Sequence, residues 1–411
     1  MGDERPVAVA GQDYARPHRP TAVFTIDGGA VEYLEAALDA GVMPRLREVL
    51  DGGAFFGLAL CEMPSFTNPN NLSIVTGVPP AVHGIAGNCY LDADGVERQL
   101  TEPESLRCAT IHAAMWDAGV ATLVVTAKDK LRRLLGAGGT PSVSAECASE
   151  LELPQYGIGR VTDLLGPNPH IYDWRISAYA LDIGLAVHRA AGPLGLLYVS
   201  LTDYVQHRAA PGTPLANDFY ATFDARLGEY LEAGFLVGIT ADHGMNAKHD
   251  EDGSPRVVYL EDEIAAAGGQ ARAVLPITDP YTAHHGSLGS FAWLYVAPEG
   301  RAAAMRRLTE LRGITEVYTG EEAAVLFEVP RDLVGDLVVT SDRHTVVGKS
   351  RAFHDLTEVP DGLRSHGGRY EQIVPLVVSE PLTEQCRAGL QGRTLRNRHV
   401  HDLVLNGVRP G

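Results

Sequence analysis

Six residues of this chain stand out as candidates to bind divalent metal ions through mixed oxygen and nitrogen donors: Asp27, Asp203, His207, Asp242, His243 and His366. Carboxylate and imidazole together suit zinc or another late divalent metal in compact geometry. Two such ions about 4 Å apart polarise a phosphoryl oxygen and make a bound hydroxyl acidic. An alcohol, a poor nucleophile at neutral pH, becomes usable in that setting. The spacing fits. If a helix begins at Asp203, an interval of four places Asp203 and His207 on one face, one turn apart. Asp242 and His243 are adjacent and follow an apolar run. Each signal has a plainer use: an Asp at a strand end can cap a turn, and an i,i+4 pair can be a solvated helix face. The adjacent Asp242-His243 pair has fewer structural uses. His83, His188 and His284 read first as structural, with His83-Gly84 a turn, while His285 is a supporting candidate at the site.

Those residues need strands to deliver them. Residues 21–26 are a short β-branched run that ends in Asp27-Gly28-Gly29. Further strands are expected over 54–60, 121–126, 194–200, 235–240 and 373–378, the run over 194–200 ending at Thr202-Asp203 and that over 235–240 at Asp242-His243. Helical patterns fall between them, including one continuous helix over 31–50 closed by Gly52-Gly53. Strands alternating with helices point to an α/β fold, a mostly parallel central sheet with helices on both faces, and such sheets present ligands at strand C-terminal ends. From 248 to 353 the texture changes to β-branched pieces, short helices and turns, which reads as a smaller inserted α+β cap domain. The core is then 21–247 with 354–411, and residues 1–20 are a loosely ordered lead-in.

Residues 63–77, Met-Pro-Ser-Phe-Thr-Asn-Pro-Asn-Asn-Leu-Ser-Ile-Val-Thr-Gly, read as a loop turning into a short helix. Thr67 and Asn68 are good N-cap types, Pro69 suits the first turn, and Gly77 closes the helix. A hydroxyl there sits beside unpaired N–H groups and the positive helix end, a ready anion site. Spacing alone does not choose among Thr67, Ser65 and Ser73 as nucleophile.

The 411 residues carry a net charge of -18, which argues against nucleic acid as a partner but is compatible with a small anionic substrate once bound metals reverse the local field. No apolar segment approaches the ~20 residues of a membrane span, and no signal peptide is expected at the N-terminus. Five widely spaced cysteines without a CxxC pair read as reduced thiols of a cytoplasmic protein. The oligomeric state is open, a homodimer included.

Asp27, Thr67, Asp203-x-x-x-His207, Asp242-His243-Gly244 and His366-Gly367 occur in an order that resembles the alkaline phosphatase superfamily, in its nucleotide pyrophosphatase/phosphodiesterase branch. Within it, residues 64–80, 126–132, 240–248 and 275–281 with His284-His285-Gly286 are similar to phosphonoacetate hydrolases. The resemblance implies one zinc held by Asp203, His207 and His366 and a second held by Asp27, Thr67, Asp242 and His243. It also implies Thr67 as nucleophile, Asn88 on a phosphoryl oxygen, Lys128 and Lys130 on the substrate carboxylate, and cleavage of phosphonoacetate to acetate and phosphate. Chemistry agrees about the lysines. Heterolysis of a C–P bond needs the departing carbon's charge stabilised, and an enolate-like dianion requires fixed cations. Without the resemblance, two such lysines read as a solvated loop. The segments 28–30 and 166–174 depart from the family pattern without touching an expected ligand.

Overall fold

The β-branched runs pair into one seven-stranded sheet. The computed structural model describes residues 5–92, 94–278, 286–356 and 362–409. The strands are β1 (Thr21–Thr25), β2 (Phe55–Leu60), β3 (Thr122–Thr126), β4 (Ser142–Ser144), β5 (Leu196–Ser200), β6 (Leu236–Thr240) and β7 (Ile373–Val378). They lie in the order β2-β7-β6-β1-β5-β3-β4. From β6 to β4 every pairing is parallel, whereas β7 runs antiparallel to both β6 and β2.

Alternation along the strands feeds two cores. Ala22, Phe24, Leu197 and Val199 pack with Tyr33, Leu34, Ile183 and Phe223 on one face. Val23 and Tyr198 point the other way, against Leu72, Ile74, Met115 and Leu403. Burial on both faces is why these strands read as continuous apolar runs.

Two expectations change, and one strand is added. The helix over 31–50 is two helices, Val31–Asp39 and Pro44–Asp51. Gly41 between them has φ 71°, and Pro44 takes the first turn of the second helix, where its missing N–H costs nothing. In place of a loosely ordered lead-in, Val7–Val9 pairs with Gln12–Tyr14 in a hairpin that buries Tyr14. The short edge strand β4 carries no sequence signal that separates it from a loop.

A second, antiparallel sheet of four strands, Arg272–Val274, Phe291–Tyr295, Leu337–Ser341 and Ile314–Thr319, lies within residues 248–353. Its core gathers Phe291, Trp293 and Val338 with Leu260, Ile264 and Leu308 from helices, and it also takes in Met63 and Phe66. Phe66 meets Phe291 edge-on at 6.2 Å, so this sheet packs directly against the residue preceding Thr67. Among the described residues no helix is long and apolar enough to cross a membrane.

Candidate metal centre and nucleophile

Parallel packing brings the C-terminal ends of β1, β5 and β6 side by side, and with them Asp27, Asp203, Asp242 and His243. All four are buried. His207 joins from α2 (Tyr204–Arg208), with its Nε2 2.9 Å from Asp203 Oδ2. His366 arrives from the loop before β7, its ring stacked on that of His243 at 3.6 Å and its Nε2 3.9 Å from Asp203 Oδ2. Two groups result whose ligand atoms lie within 4.8 Å of one another: Asp203, His243 and His366, and Asp27, Asp242 and His243. His243 is common to both.

Thr67 is the first residue of α1 (Thr67–Thr76), and Phe66, in extended conformation, occupies the N-cap position. Thr67 and Asn68 were the expected caps, but no side chain caps this helix. The Thr67 hydroxyl instead lies 3.3 Å from His243 Nε2. Ser65 Oγ is taken by the Gly368 carbonyl, and Ser73 by buried His83. Of the three candidate hydroxyls, Thr67 is the one placed against the carboxylate and imidazole cluster. Gly77 closes the helix in the left-handed conformation that its type permits.

The donor set fits metal ions. Nδ1 of His207, His243 and His366 lies 2.7, 2.9 and 2.9 Å from the backbone carbonyls of Arg364, Gly244 and Ser65. A carbonyl only accepts, so each Nδ1 carries the hydrogen and each Nε2 keeps its lone pair, the tautomer a metal ligand needs. His207 Nε2 then faces a carboxylate oxygen as acceptor to acceptor, which a shared cation satisfies. Neither oxygen of buried Asp27 has a hydrogen-bond donor among the described residues. Burial, with the nearby Asp203 and Asp242 charges, pushes Asp27 well above the usual carboxylate range. Burial and Asp203 push Asp242 up to about 7. Desolvation lowers His243, and it lowers His366 well below the ordinary imidazole value. Three clustered carboxylates and neutral imidazoles form a site that a divalent cation would stabilise.

The second coordination layer is largely backbone. Glu371 accepts from Lys248 Nζ at 2.9 Å, Asn246 Nδ2 at 2.6 Å and the Gly368 N–H at 3.0 Å, while its own carbonyl accepts from Gly244 N–H. This buried brace ties the His243 loop to the His366 loop. Gly367 has φ 119°, and a Cβ there would meet the Phe66 ring. Gly367→Ala is therefore expected to cost about 2–4 kcal/mol from backbone strain and overpacking, read in urea unfolding.

The expected substrate-side residues spread more widely. Lys128 Nζ lies 2.9 Å from Asp203 Oδ1 and 3.9 Å from Asp27 Oδ2, so it belongs to the cluster itself. Lys130 Nζ is 3.1 Å from Gln99 Oε1. Asn88 is buried and donates to the Ile277 carbonyl. Leu100 links it to α1, donating its N–H to the Asn88 carbonyl while its own carbonyl accepts from Asn68. His285 lies outside the described residues. Residue types and spacing gave no hint of Asn71, which reaches Asp242, or of Tyr198, which bonds Asn71 behind it; each reads as core from its neighbours.

Residues 21–369 match the family profile described as Type I phosphodiesterase / nucleotide pyrophosphatase. A phosphonoacetate hydrolase from Sinorhizobium meliloti 1021, solved in complex with phosphonoformate, is 42% identical with a TM-score of 0.92, the match covering 98% of this chain and 99% of that one. Murine ectonucleotide pyrophosphatase / phosphodiesterase 5 shares the fold, with 16% identity and a TM-score of 0.63 over 95% of this chain and 96% of that one. An uncharacterized pyrophosphatase/phosphodiesterase of Schizosaccharomyces pombe is 24% identical over 270 residues, 62% of this chain and 50% of that protein, so the chain spans about half the length of that curated relative. The profile, which spans most of the chain, places this hydrolase with an alkaline-phosphatase-like fold in the type I phosphodiesterase / nucleotide pyrophosphatase family.

Proposed function

We propose that this hydrolase cleaves the C–P bond of phosphonoacetate, giving acetate and phosphate, with two zinc ions per chain. The observation that carries the reading is Thr67 Oγ1 placed 3.3 Å from His243 Nε2, with Lys128 Nζ 2.9 Å from Asp203 in the same cluster. A hydroxyl nucleophile and a cation for the leaving group thus converge on one carboxylate and imidazole cluster. Similarity to the S. meliloti phosphonoacetate hydrolase supports the choice of substrate.

Asp203, His207 and His366 would hold one ion; Asp27, Asp242, His243 and Thr67 the other. Bound there, the ions supply Lewis acidity, lowering the hydroxyl pKa and offsetting phosphoryl charge. Thr67 Oγ1, its proton passed to water, attacks phosphorus as the C–P bond breaks. The bonding pair passes to carbon and spreads over the carboxylate, where Lys128 and Lys130 offset the charge until a proton from water completes acetate. Asn88 donates to a phosphoryl oxygen. Water then hydrolyses phospho-Thr67, releasing phosphate and restoring the hydroxyl. Residues 248–353 act as a cap over the site and exclude water, which strengthens the charge interactions within; the contact of Phe291 with Phe66 supports this. His285 contributes from the same segment. The free cysteines among the described residues fit a cytoplasmic setting.

Phosphate release from phosphonoacetate by the purified chain, with zinc and with a chelator, tests the reading. Zinc-dependent release is expected, and none with zinc present overturns it. The family profile favours a second reading, phosphodiester or pyrophosphate hydrolysis at the same site. An ester leaving group does not need both lysines. Lys128→Ala with Lys130→Ala is expected to lower phosphonoacetate turnover by about 10²–10³-fold while sparing a p-nitrophenyl diester to within about threefold. Equal loss on both substrates assigns the lysines a structural role instead.

A further inference from the structure

A chain of buried hydrogen bonds leads to Asp242 through three residues with no part in the reaction above. Thr25, Asn71, Tyr198 and Asp242 are all fully buried. Thr25 Oγ1 and Tyr198 Oη are 2.8 Å apart. Tyr198 Oη donates to Asn71 Oδ1 at 2.7 Å. Asn71 Nδ2 donates to Asp242 Oδ2 at 3.1 Å and to the Thr67 carbonyl at 3.0 Å.

The direction of this chain follows from counting hydrogens. A phenol has one, and Tyr198 spends it on Asn71, so Thr25 must donate to Tyr198. The Asn71 amide can donate to a carboxylate and a carbonyl only with its oxygen turned toward Tyr198. Were the amide reversed, its oxygen would face Asp242 Oδ2 and the phenol would meet an NH₂ group. The acceptor-only carboxylate and carbonyl therefore fix which way round the amide stands, and Tyr198 supplies the donor for the amide oxygen that this leaves facing it. Edge contacts with His112 at 5.7 Å and a tilted contact with His401 at 6.0 Å hold the Tyr198 ring in place.

The consequence falls on two groups at once. Asp242 Oδ1 accepts from the Gly28 and His243 N–H groups, at 3.2 and 3.0 Å. Among the described residues, Oδ2 has the Asn71 amide as its hydrogen-bond donor. Asn71 thus sets the rotation of the carboxylate, and through the Thr67 carbonyl it ties that carboxylate to the first turn of the helix bearing the hydroxyl.

We propose that Thr25, Tyr198 and Asn71 form a directed positioning relay that aligns Asp242 with Thr67. They are positioning residues, since none touches the reacting atoms. The relay rests on the two-metal reading of the site and acts selectively on the ion that Asp242 would hold.

The test uses the full chain with Tyr198→Phe and, separately, Thr25→Val. Zinc affinity is measured at both sites by chelator competition, alongside kcat and KM for phosphonoacetate. Expected for Tyr198→Phe is a loss of about 10–100-fold in affinity at one site, with the other held within about threefold, as for outer-layer partners of metal ligands. At saturating zinc kcat falls while KM holds. Thr25→Val shows the same pattern with smaller size. A purely structural tyrosine would weaken both sites together or neither. Equal weakening, unchanged affinity and kcat, or failure of both variants to fold in zinc overturns the relay. If the unmodified chain binds no zinc, the two-metal reading fails first, and an insensitive Tyr198→Phe against a zinc-binding parent refutes the relay alone.

Discussion

Thr67→Ala is expected to reduce kcat on phosphonoacetate by on the order of 10⁴-fold or more, the scale seen when a nucleophile acting in concert with its activating groups is removed. The physical basis is local. Thr67 opens a helix that Gly77 closes, and the extended Phe66 before it turns the hydroxyl toward His243 instead of into a capping bond. Alanine leaves that backbone intact, so the variant should fold with unchanged urea stability to within about 0.5 kcal/mol. Thr67→Ser keeps the oxygen and should retain most of the turnover. Acid-quenched reaction mixtures examined by mass spectrometry should carry a phosphoryl group on Thr67 of the parent and none on the alanine variant. An alanine variant with parental turnover would remove Thr67 from the mechanism.

Removing metal is expected to have an equally large effect and to make stability depend on the protons that Asp27 and Asp242 hold. Chelation should abolish phosphate release, and about two equivalents of zinc per chain should restore it. In the metal-free protein, Asp27 and Asp242 hold protons in the folded chain that the unfolded chain loses near pH 4. From about pH 4 to about 7 the folded state binds more protons, so the contribution of these groups to stability falls as pH rises. The loss is complete for Asp242 only above its folded value of about 7. His243 and His366 work with the opposite sign, since the unfolded chain protonates them below about 6.5 and the folded chain does not. Asp242→Asn isolates one contribution. Its stability relative to the metal-free parent should grow with pH across that window, measured by urea unfolding at several pH values. A difference independent of pH would show that Asp242 does not retain its proton. Zinc should suppress the trend, because a bound cation takes the place of the protons and stabilises the folded state by mass action.

Much of this was legible from residue order, for a reason tied to burial. Strands covered on both faces leave unbroken β-branched runs, and β1, β5 and β6 each end beside a ligand-type residue. Local chemistry was readable as well, as with the Asp203 and His207 interval and the Gly77 stop. Less visible were features whose cause lies in distant contacts. Gly41 and Pro44 break a helix that apolar spacing alone carries through. Tyr198 lies mid-strand with apolar neighbours, and only its approach to Asn71, 127 positions away, shows that its hydroxyl is in use. Lys128 and Lys130 look alike in sequence. In space one lies among the carboxylates and the other against Gln99.

The loop that carries His366 has a consequence for synthesis. It is clasped from both sides: Ser65 N–H donates to the Gly367 carbonyl, and Ser290 N–H, at the start of the second sheet, donates to the carbonyl of His366 itself. A nascent chain that has emerged through residue 247 already contains Asp27, Thr67, Asp203, His207, Asp242 and His243, yet it lacks His366 and the strand β7 beside β6. Translation continues through more than a hundred further residues before the last imidazole can dock. The proposed ligand set is therefore complete only once residue 366 has been made, and a ribosome-stalled fragment ending near residue 250 should hold zinc far more weakly than the finished chain.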